Sequence, residues 1–228
     1  MEQRYRHELK YQISYAVYLA LRSRLKSVMR QDENTDDTGR YVIRSVYFDN
    51  FDDKALREKL DGVQKREKWR IRYYNDDTSC IKLEKKCKIN SLCLKLSAPL
   101  SAVECRAIFQ GNTDWMLEHP SNLVRELYCK ICSQQMRPRV LVSYVREPYV
   151  YAPGNVRVTF DSQLRTSLYH QDFLAPQIRD IGAMDAPGDI VMEVKYDDYL
   201  PDIIGCLLQT EGVRQSAFSK YGLCRRFG

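Results

Sequence analysis

Four basic side chains fall on alternate positions of one short run: Arg66, Lys68, Arg70 and Arg72, with Trp69, Ile71 and Tyr73 on the other parity. The spacing recurs. Lys82, Glu84 and Lys86 alternate with Ile81, Leu83 and Cys87, and Glu193 and Lys195 with Met192 and Val194. Arg157, Thr159 and Asp161 oppose Val156, Val158 and Phe160, while Arg6, Glu8 and Lys10 share a parity, as do Tyr144 and Arg146. Side chains on an extended strand alternate between two faces. Each run, read as a strand, puts its charges on one face and its apolar groups on the other. Rows of Arg and Lys are suited to a chain of phosphates, since Arg offers a planar fork to phosphate oxygens. Single carboxylates among them suit a hard divalent ion that takes its other ligands from the substrate.

Parity alone leaves two readings open. One is a sheet packed on helices by its apolar face, with a solvated charged face. The other turns the charges inward. Solvated faces mix Thr, Ser, Gln, Lys and Glu, whereas Arg and Lys dominate here. Two like charges about 4 Å apart repel by roughly 4 kcal/mol at an effective dielectric near 20. An inward lining must therefore be wet, interleaved with carboxylates or filled by an anion.

The elements that would position these groups can be read along the chain. Arg4 to Ile13 reads as a strand. Ser14 is placed as an N-cap, with an amphipathic helix to about Met29. A polar loop follows over Gln31 to Gly39, then a strand over Arg40 to Asp49 and a short helix from Phe51 to Leu60. Lys65 to Tyr74 and Ser79 to Ile89 make the clearest hairpin, across Asn75-Asp76-Asp77-Thr78. Pro99 to Gln110 and Thr113 to Met136 read as helices, with Pro120 interrupting the second. Arg139 to Tyr151 and Asn155 to Gln163 form another hairpin. Asp189 to Tyr196 is a strand and Pro201 to Thr210 a helix; Ser216 to Arg226 has no clear signature. With no linker or repeat, one domain over residues 1–228 is expected. Its class is α+β, with an antiparallel barrel or strongly curved sheet.

Composition excludes several classes. Of 228 residues 44% are hydrophobic, enough to build a core, and the net charge of +6 points only weakly to an anionic partner. No apolar run approaches the roughly 20 residues that span a bilayer. The first residues carry no signal-peptide core, so a soluble, cytoplasmic protein is expected. The eight cysteines lack a small-scaffold spacing and are expected to be reduced. Cys129 and Cys132 have metal-ligand spacing but no second pair, so core packing is expected of them. His7, His119 and His170 form no motif. There is no phosphate-binding Gly-rich loop of the P-loop type. The basic pairs Lys85-Lys86 and Arg225-Arg226 read as solvated surface in preference to nucleic-acid contacts. Residues 32–37 read as a solvated turn, and Tyr11, Tyr47, Tyr73 and Tyr196 as packing or rim residues. Tyr144 and the parity partners Lys86 and Lys195 join the candidate lining.

The ordered set of motifs resembles a known family. Arg6-His7-Glu8-Leu9-Lys10-Tyr11, Ser45-Val46-Tyr47-Phe48-Asp49 and Lys68-Trp69-Arg70-Ile71-Arg72-Tyr73 come first. Lys82-Leu83-Glu84-Lys85-Lys86, Ser143-Tyr144-Val145-Arg146 and Arg157-Val158-Thr159-Phe160-Asp161 follow. Met192-Glu193-Val194-Lys195-Tyr196 and Phe218-Ser219-Lys220-Tyr221 complete it. The pattern is similar to the VTC domain, the polyphosphate polymerase branch of the triphosphate tunnel metalloenzymes and their CYTH-like relatives. The resemblance implies a closed antiparallel eight-stranded β-barrel with helices outside, holding a triphosphate along its axis with Mn²⁺ or Mg²⁺. By motif position Lys10, Arg70, Arg72, Lys82, Arg146, Arg157 and Lys220 would bind phosphates, with Ser219 beside Lys220. Glu193 would be the principal metal ligand, helped by Glu8 or Glu84. Arg70, Arg72, Lys82, Arg146 and Lys220 would act on the transferred phosphoryl group. ATP and inorganic polyphosphate or triphosphate are the implied partners. Arg6 stands where the CYTH branch has its first Glu, which fits the VTC branch. Ala217 stands where some VTC domains carry a further Lys. Three activities follow as expectations: an ATP-dependent polyphosphate polymerase first, then a metal-dependent triphosphatase, then a non-catalytic module binding polyphosphate or an inositol polyphosphate.

Overall fold

Ser14 turns the chain from strand to helix as its residue type predicts. Its hydroxyl accepts from Val17 N at 3.4 Å and separates strand β1 (His7–Ile13) from helix α1 (Tyr15–Lys26). The computed structural model describes residues 5–90, 92–168, 170–184, 188–211 and 213–227, with the side chains of His170 and Asp172 excepted. Arg4 and the His170 side chain thus lie outside the described residues. Next come β2 (Arg30–Gln31), β3 (Tyr41–Asp49), α2 (Lys54–Leu60) and the hairpin of β4 (Lys65–Tyr74) and β5 (Asp77–Ile89). The hairpin turn is two residues, tighter than the four expected. Asn75 and Asp76 both have positive φ, 49° and 58°. Asn and Asp tolerate that region, and the primed two-residue turn suits the twist of paired strands.

A strand, β6 (Leu92–Leu100), occupies a stretch without an expected element and takes in Pro99, which the sequence reading assigned to the following helix. That helix, α3 (Ala102–Phe109), starts instead at a capping box between Ser101 and Glu104. A 3₁₀ turn over Asp114–Glu118 and α4 (Asn122–Gln134) flank the break at Pro120. The long hairpin is β7 (Arg137–Tyr151) and β8 (Val156–Ser167). Two-residue β9 (Ile181–Gly182), β10 (Ile190–Tyr196), α5 (Asp202–Leu208) and α6 (Lys220–Cys224) complete the order.

The strands form one antiparallel ten-stranded sheet, with β1-β10-β8-β7-β3-β4-β5-β6 as its main path and β2 and β9 added at β7 and β8. The expectation of a closed eight-stranded barrel is corrected on two counts. The described residues form ten strands, and among them no continuous ladder joins β1 to β6. The two edges meet at one bridge, Arg6 with Cys93, whose backbone groups exchange hydrogen bonds of 3.0 Å. Farther along β1, Tyr11 bridges Gln215, and Ser216 N donates to Lys10 O at 2.8 Å. The edge of β1 thus meets two different segments at single points.

The apolar parities do what the sequence requires of them. Trp69, Ile71, Tyr73, Ile81 and Leu83 pack under α3 and α4. Ile13, Val156, Val158, Phe160, Met192 and Val194 pack with Tyr18, Leu21 and Leu25 of α1 and Ile204 of α5. Helices therefore cover the apolar face, and the charged parity lies on the other. A third cluster sits among the charges: Tyr221, Leu223 and Cys224 of α6 pack with Ile43, Tyr47, Val140, Val142 and Tyr144. Between β7 and β8, Gly154 has φ of +69°, and a Cβ there would lie 2.8 Å from Tyr199 O. Gly154→Ala is expected to lower stability by about 1–3 kcal/mol through both strain and clash. An unchanged midpoint in urea unfolding would show that this turn relaxes freely.

Candidate active site

Strand register brings the charged parity together across the sheet. Glu8 pairs with Lys195, Lys10 with Glu193, Lys195 with Arg157, and Arg146 with Asp161. Arg70 pairs with both Tyr47 and Glu84, and Arg72 with Ser45 and Lys82. Two ion networks result.

The first surrounds Glu193, whose carboxylate lies 2.9 Å from Lys220 Nζ, 3.2 Å from Lys195 Nζ and 3.4 Å from both Lys10 Nζ and Arg146 Nη2. Asp161 accepts both prongs of Arg146, at 2.6 and 2.7 Å, and Lys220 Nζ at 2.5 Å. Glu8 shares Lys10 at 3.9 Å and Lys195 at 3.7 Å with Glu193, and takes Lys86 at 2.6 Å. Burial alone would raise Glu193, but Lys10, Lys220, Lys195 and Arg146 together hold it well below the usual carboxylate range. Burial pulls Lys195 down to about 8, with Glu193 and Glu8 opposing.

The second network surrounds Glu84. Arg70 reaches it with Nε at 2.7 Å and Nη2 at 2.6 Å, Lys95 at 3.1 Å and Arg72 at 3.9 Å. Arg72 donates to Ser45 Oγ at 2.9 Å and to Tyr144 OH at 3.0 Å, and Arg70 donates to Tyr47 OH at 3.0 Å. Tyr144 joins the two networks. Lys220 Nζ lies 4.9 Å from its ring centroid, Arg146 5.4 Å and Arg72 5.9 Å.

Lys220 belongs to a five-residue helix, so something else must hold it in place. Tyr221 OH donates to Asp49 at 2.5 Å, and Asp49 also accepts from Ala55 N and Leu56 N at the start of α2. Residues 49 and 221 thereby fix the cation between them and the acids of β8 and β10.

The expected carboxylates divide between the networks. Glu193 and Glu8 share lysines, whereas Glu84 is bound to Arg70 and Lys95. Asp161, not expected as a ligand, shares Lys220 and Arg146 with Glu193. Among the described residues no three His, Cys, Asp or Glu side chains converge closely enough to hold a metal by themselves. The register partner of Glu193, Thr159, has its hydroxyl buried with no hydrogen-bond partner among the described residues. Hard carboxylate oxygens and a spare hydroxyl fit a divalent ion that takes its remaining ligands from phosphate.

Comparison with known proteins decides the family. The sequence profile of the VTC domain matches residues 5–227, nearly the whole chain. The chain belongs to the VTC domain family. No functionally curated protein matches it. Solved structures share its fold at low identity. A candidate adenylyl cyclase from Hippeastrum, whose dominant activity is that of a triphosphatase, superposes with a TM-score of 0.58 at 14% identity, over 99% of this chain and 96% of that one. A candidate adenylate cyclase from Bacillus halodurans gives 0.52 at 16% identity, over 86% and 82%.

In this VTC domain most expected phosphate ligands do share one face, but several placements differ from the sequence reading. Arg157 turns away from Glu193 to Asp32 at 2.8 Å and Tyr41 OH at 2.7 Å, so residues 32–37 are more than a solvated turn. Asp32 is buried and bonds Asn34 as well. Tyr47 packs in the third cluster as expected and also accepts from Arg70 on the charged face. Cys129 and Cys132 are exposed on α4, which corrects the expectation of core packing. His7 stacks on Tyr196 with centroids 5.0 Å apart. Lys85 faces α4 and pairs with Glu67 and Glu126, and Arg225 pairs with Asp53, so neither basic pair is wholly free. Lys95 was missed with its strand, although Leu92, Leu94 and Leu96 alternate with Cys93, Lys95 and Ser97 and carry the signal. No described helix is long and apolar enough to cross a membrane.

Proposed function

We propose that this VTC domain is an ATP-dependent polyphosphate polymerase, a single domain whose charged sheet face holds the growing chain. The carrying observation is the surplus of cations on one face. Arg70, Arg72, Arg146 and Lys220 are tied to three carboxylates, and half-buried Lys82, opposite Arg72, meets no carboxylate among the described residues. A polyanion supplies the missing partners.

In this reading the phosphates of ATP lie against Arg70, Arg72, Arg146 and Lys220, with Lys10, Lys82, Lys86 and Lys195 along the chain. A terminal oxygen of the acceptor polyphosphate attacks the γ-phosphorus. The bond from that phosphorus to the β–γ bridging oxygen breaks, and ADP leaves with the electron pair. Fixed cations favour this because charge sits on the equatorial oxygens and needs no covalent help. Arg146, with Asp161 holding its fork in plane, and Arg70, held by Glu84, are pre-oriented donors. A bound Mn²⁺ or Mg²⁺ would neutralise phosphate oxygens and polarise the γ-phosphorus, with Glu193 as its principal protein donor, helped by Glu8 or Asp161, and phosphate oxygens as the rest.

The test is incubation with ATP and Mn²⁺, resolving products on a gel stained for polyphosphate while free phosphate is assayed. A ladder with stoichiometric ADP is expected, and Glu193→Gln is expected to cut the rate at least about 100-fold. Free phosphate without a ladder would replace this reading by a triphosphatase. Binding of polyphosphate without turnover would leave only a binding module.

A further inference from the structure

Both networks leave out Arg66 and Lys68 of the β4 row; Arg66 turns to the Val63 carbonyl, whereas Lys68 points to Ser219. Arg70 and Arg72 find Glu84, but no carboxylate comes within ion-pair reach of Lys68 among the described residues. Its Nζ donates to Ser219 Oγ at 3.0 Å and lies 5.2 Å from the ring centroid of Tyr221. Positive charge bears on it from four elements: Lys10 of β1, Lys86 directly opposite on β5, Lys59 of α2 and Arg66 of its own strand. The acids nearby in the fold are engaged. Glu8 is held by Lys86 and Lys10, and Asp49, behind Tyr221, is held by that hydroxyl and the amides of α2. Ser219 Oγ accepts from Lys68 and from Gly222 N at 3.2 Å, which leaves its own proton available to donate.

We propose that Lys68 and Ser219 form a further anion subsite, which takes a phosphoryl group beyond those met by Arg70, Arg72, Arg146 and Lys220. The inference rests on the reading of the face as a polyphosphate site and adds to it a proton linkage. Burial, with Lys10, Lys86, Lys59 and Arg66, pulls the Lys68 amine down to about 7. Near neutral pH a large share of empty molecules therefore carries it uncharged. A phosphoryl group beside it favours the ammonium form and raises it again. Filling the subsite then draws a proton from solvent. Its share of the affinity is full below about pH 7 and falls as pH rises above that value. Lys59 is lowered too, by burial and by Arg66, Lys10 and Lys88, so the same end of the face is short of negative charge over several residues.

The experiment is calorimetric titration of the whole chain with metal-free tripolyphosphate at pH 8 and pH 6, in pairs of buffers that differ in heat of ionisation. Protons bound by the ligand itself are common to all variants and cancel. At pH 8 the wild type is expected to take up more protons than Lys68→Arg or Lys68→Met, by as much as about one per site. At pH 6 the difference should vanish. Going from pH 6 to pH 8 should weaken the wild type up to about tenfold more than Lys68→Arg, whose charge is fixed. Equal uptake by all three proteins overturns this inference alone. No binding by the wild type overturns the polyphosphate reading and this inference with it. Should both variants misfold, amine acylation of the wild type at pH 7.5, read by peptide mass spectrometry, carries the test. Lys68 should label faster than ion-paired Lys85 and be protected by tripolyphosphate; labelling no faster, or unprotected, overturns the proposal.

Discussion

Replacing Arg146 with Ala is expected to destabilise the protein by about 3–5 kcal/mol and to abolish turnover. The guanidinium and Asp161 are both almost wholly buried, at 7% and 3% exposure, and meet through two parallel hydrogen bonds. Removing one partner of such a pair leaves the other uncompensated in a poorly solvating place. Lys220 would still touch Asp161, which sets the lower end of the range. Arg146→Lys separates charge from geometry. It keeps the positive charge and should recover part of the stability, but it cannot reproduce the fork that holds a phosphate or carboxylate in plane. Urea unfolding of both variants, with rates on ATP and Mn²⁺, tests this. Wild-type stability in Arg146→Ala would mean that the pair does not form.

Acid should be the second large effect. Glu8, Glu84, Asp161 and Glu193 are each raised by burial and lowered more strongly by neighbouring Lys and Arg. Their folded-state values lie below their unfolded ones, so the unfolded chain binds protons first as pH falls. The stability they contribute is fully present above about pH 4.5 and is lost progressively below it, by several kcal/mol by about pH 2. Protonation also leaves Lys10, Lys195, Lys220 and the arginines facing one another without acids between them. Glu84→Gln should give a shallower slope of unfolding free energy against pH, by about one proton. A slope identical to wild type would remove Glu84 from the network.

The parity of charges was readable in β4, β5 and β10 because each is a clean alternation bounded by turn residues. The register that pairs Lys10 with Glu193 and Arg70 with Glu84 was not readable, since it depends on which strands become neighbours. β6 escaped because Pro99 suggested a helix start, and Lys95 went with it. Arg157 shows the limit of parity. It sits on the charged face, yet a loop carboxylate more than a hundred residues away turns its head to the rim. The placement of α6 was equally hidden, because five residues carry no helical period and the bond from Tyr221 to Asp49 joins opposite ends of the chain. Cys129 and Cys132 share a helix face as their spacing said. Only the packing of α4 shows that this face is solvent.

The lysines that bridge Glu8, Glu193 and Asp161 make the resident acids a tethered competitor for any incoming ligand. Their effective concentration is fixed by the fold and does not dilute, so an arriving anion must displace them by exchanging partners. A single phosphate group can trade with one or two lysines and gains little over the acids already there. Under the function proposed above, a chain of phosphates would trade with Lys10, Lys195, Lys220 and Arg146 in one binding event and win by multivalency. On the proposed reading the charged face therefore discriminates by ligand valence, and a monophosphate competes poorly with the protein's own carboxylates.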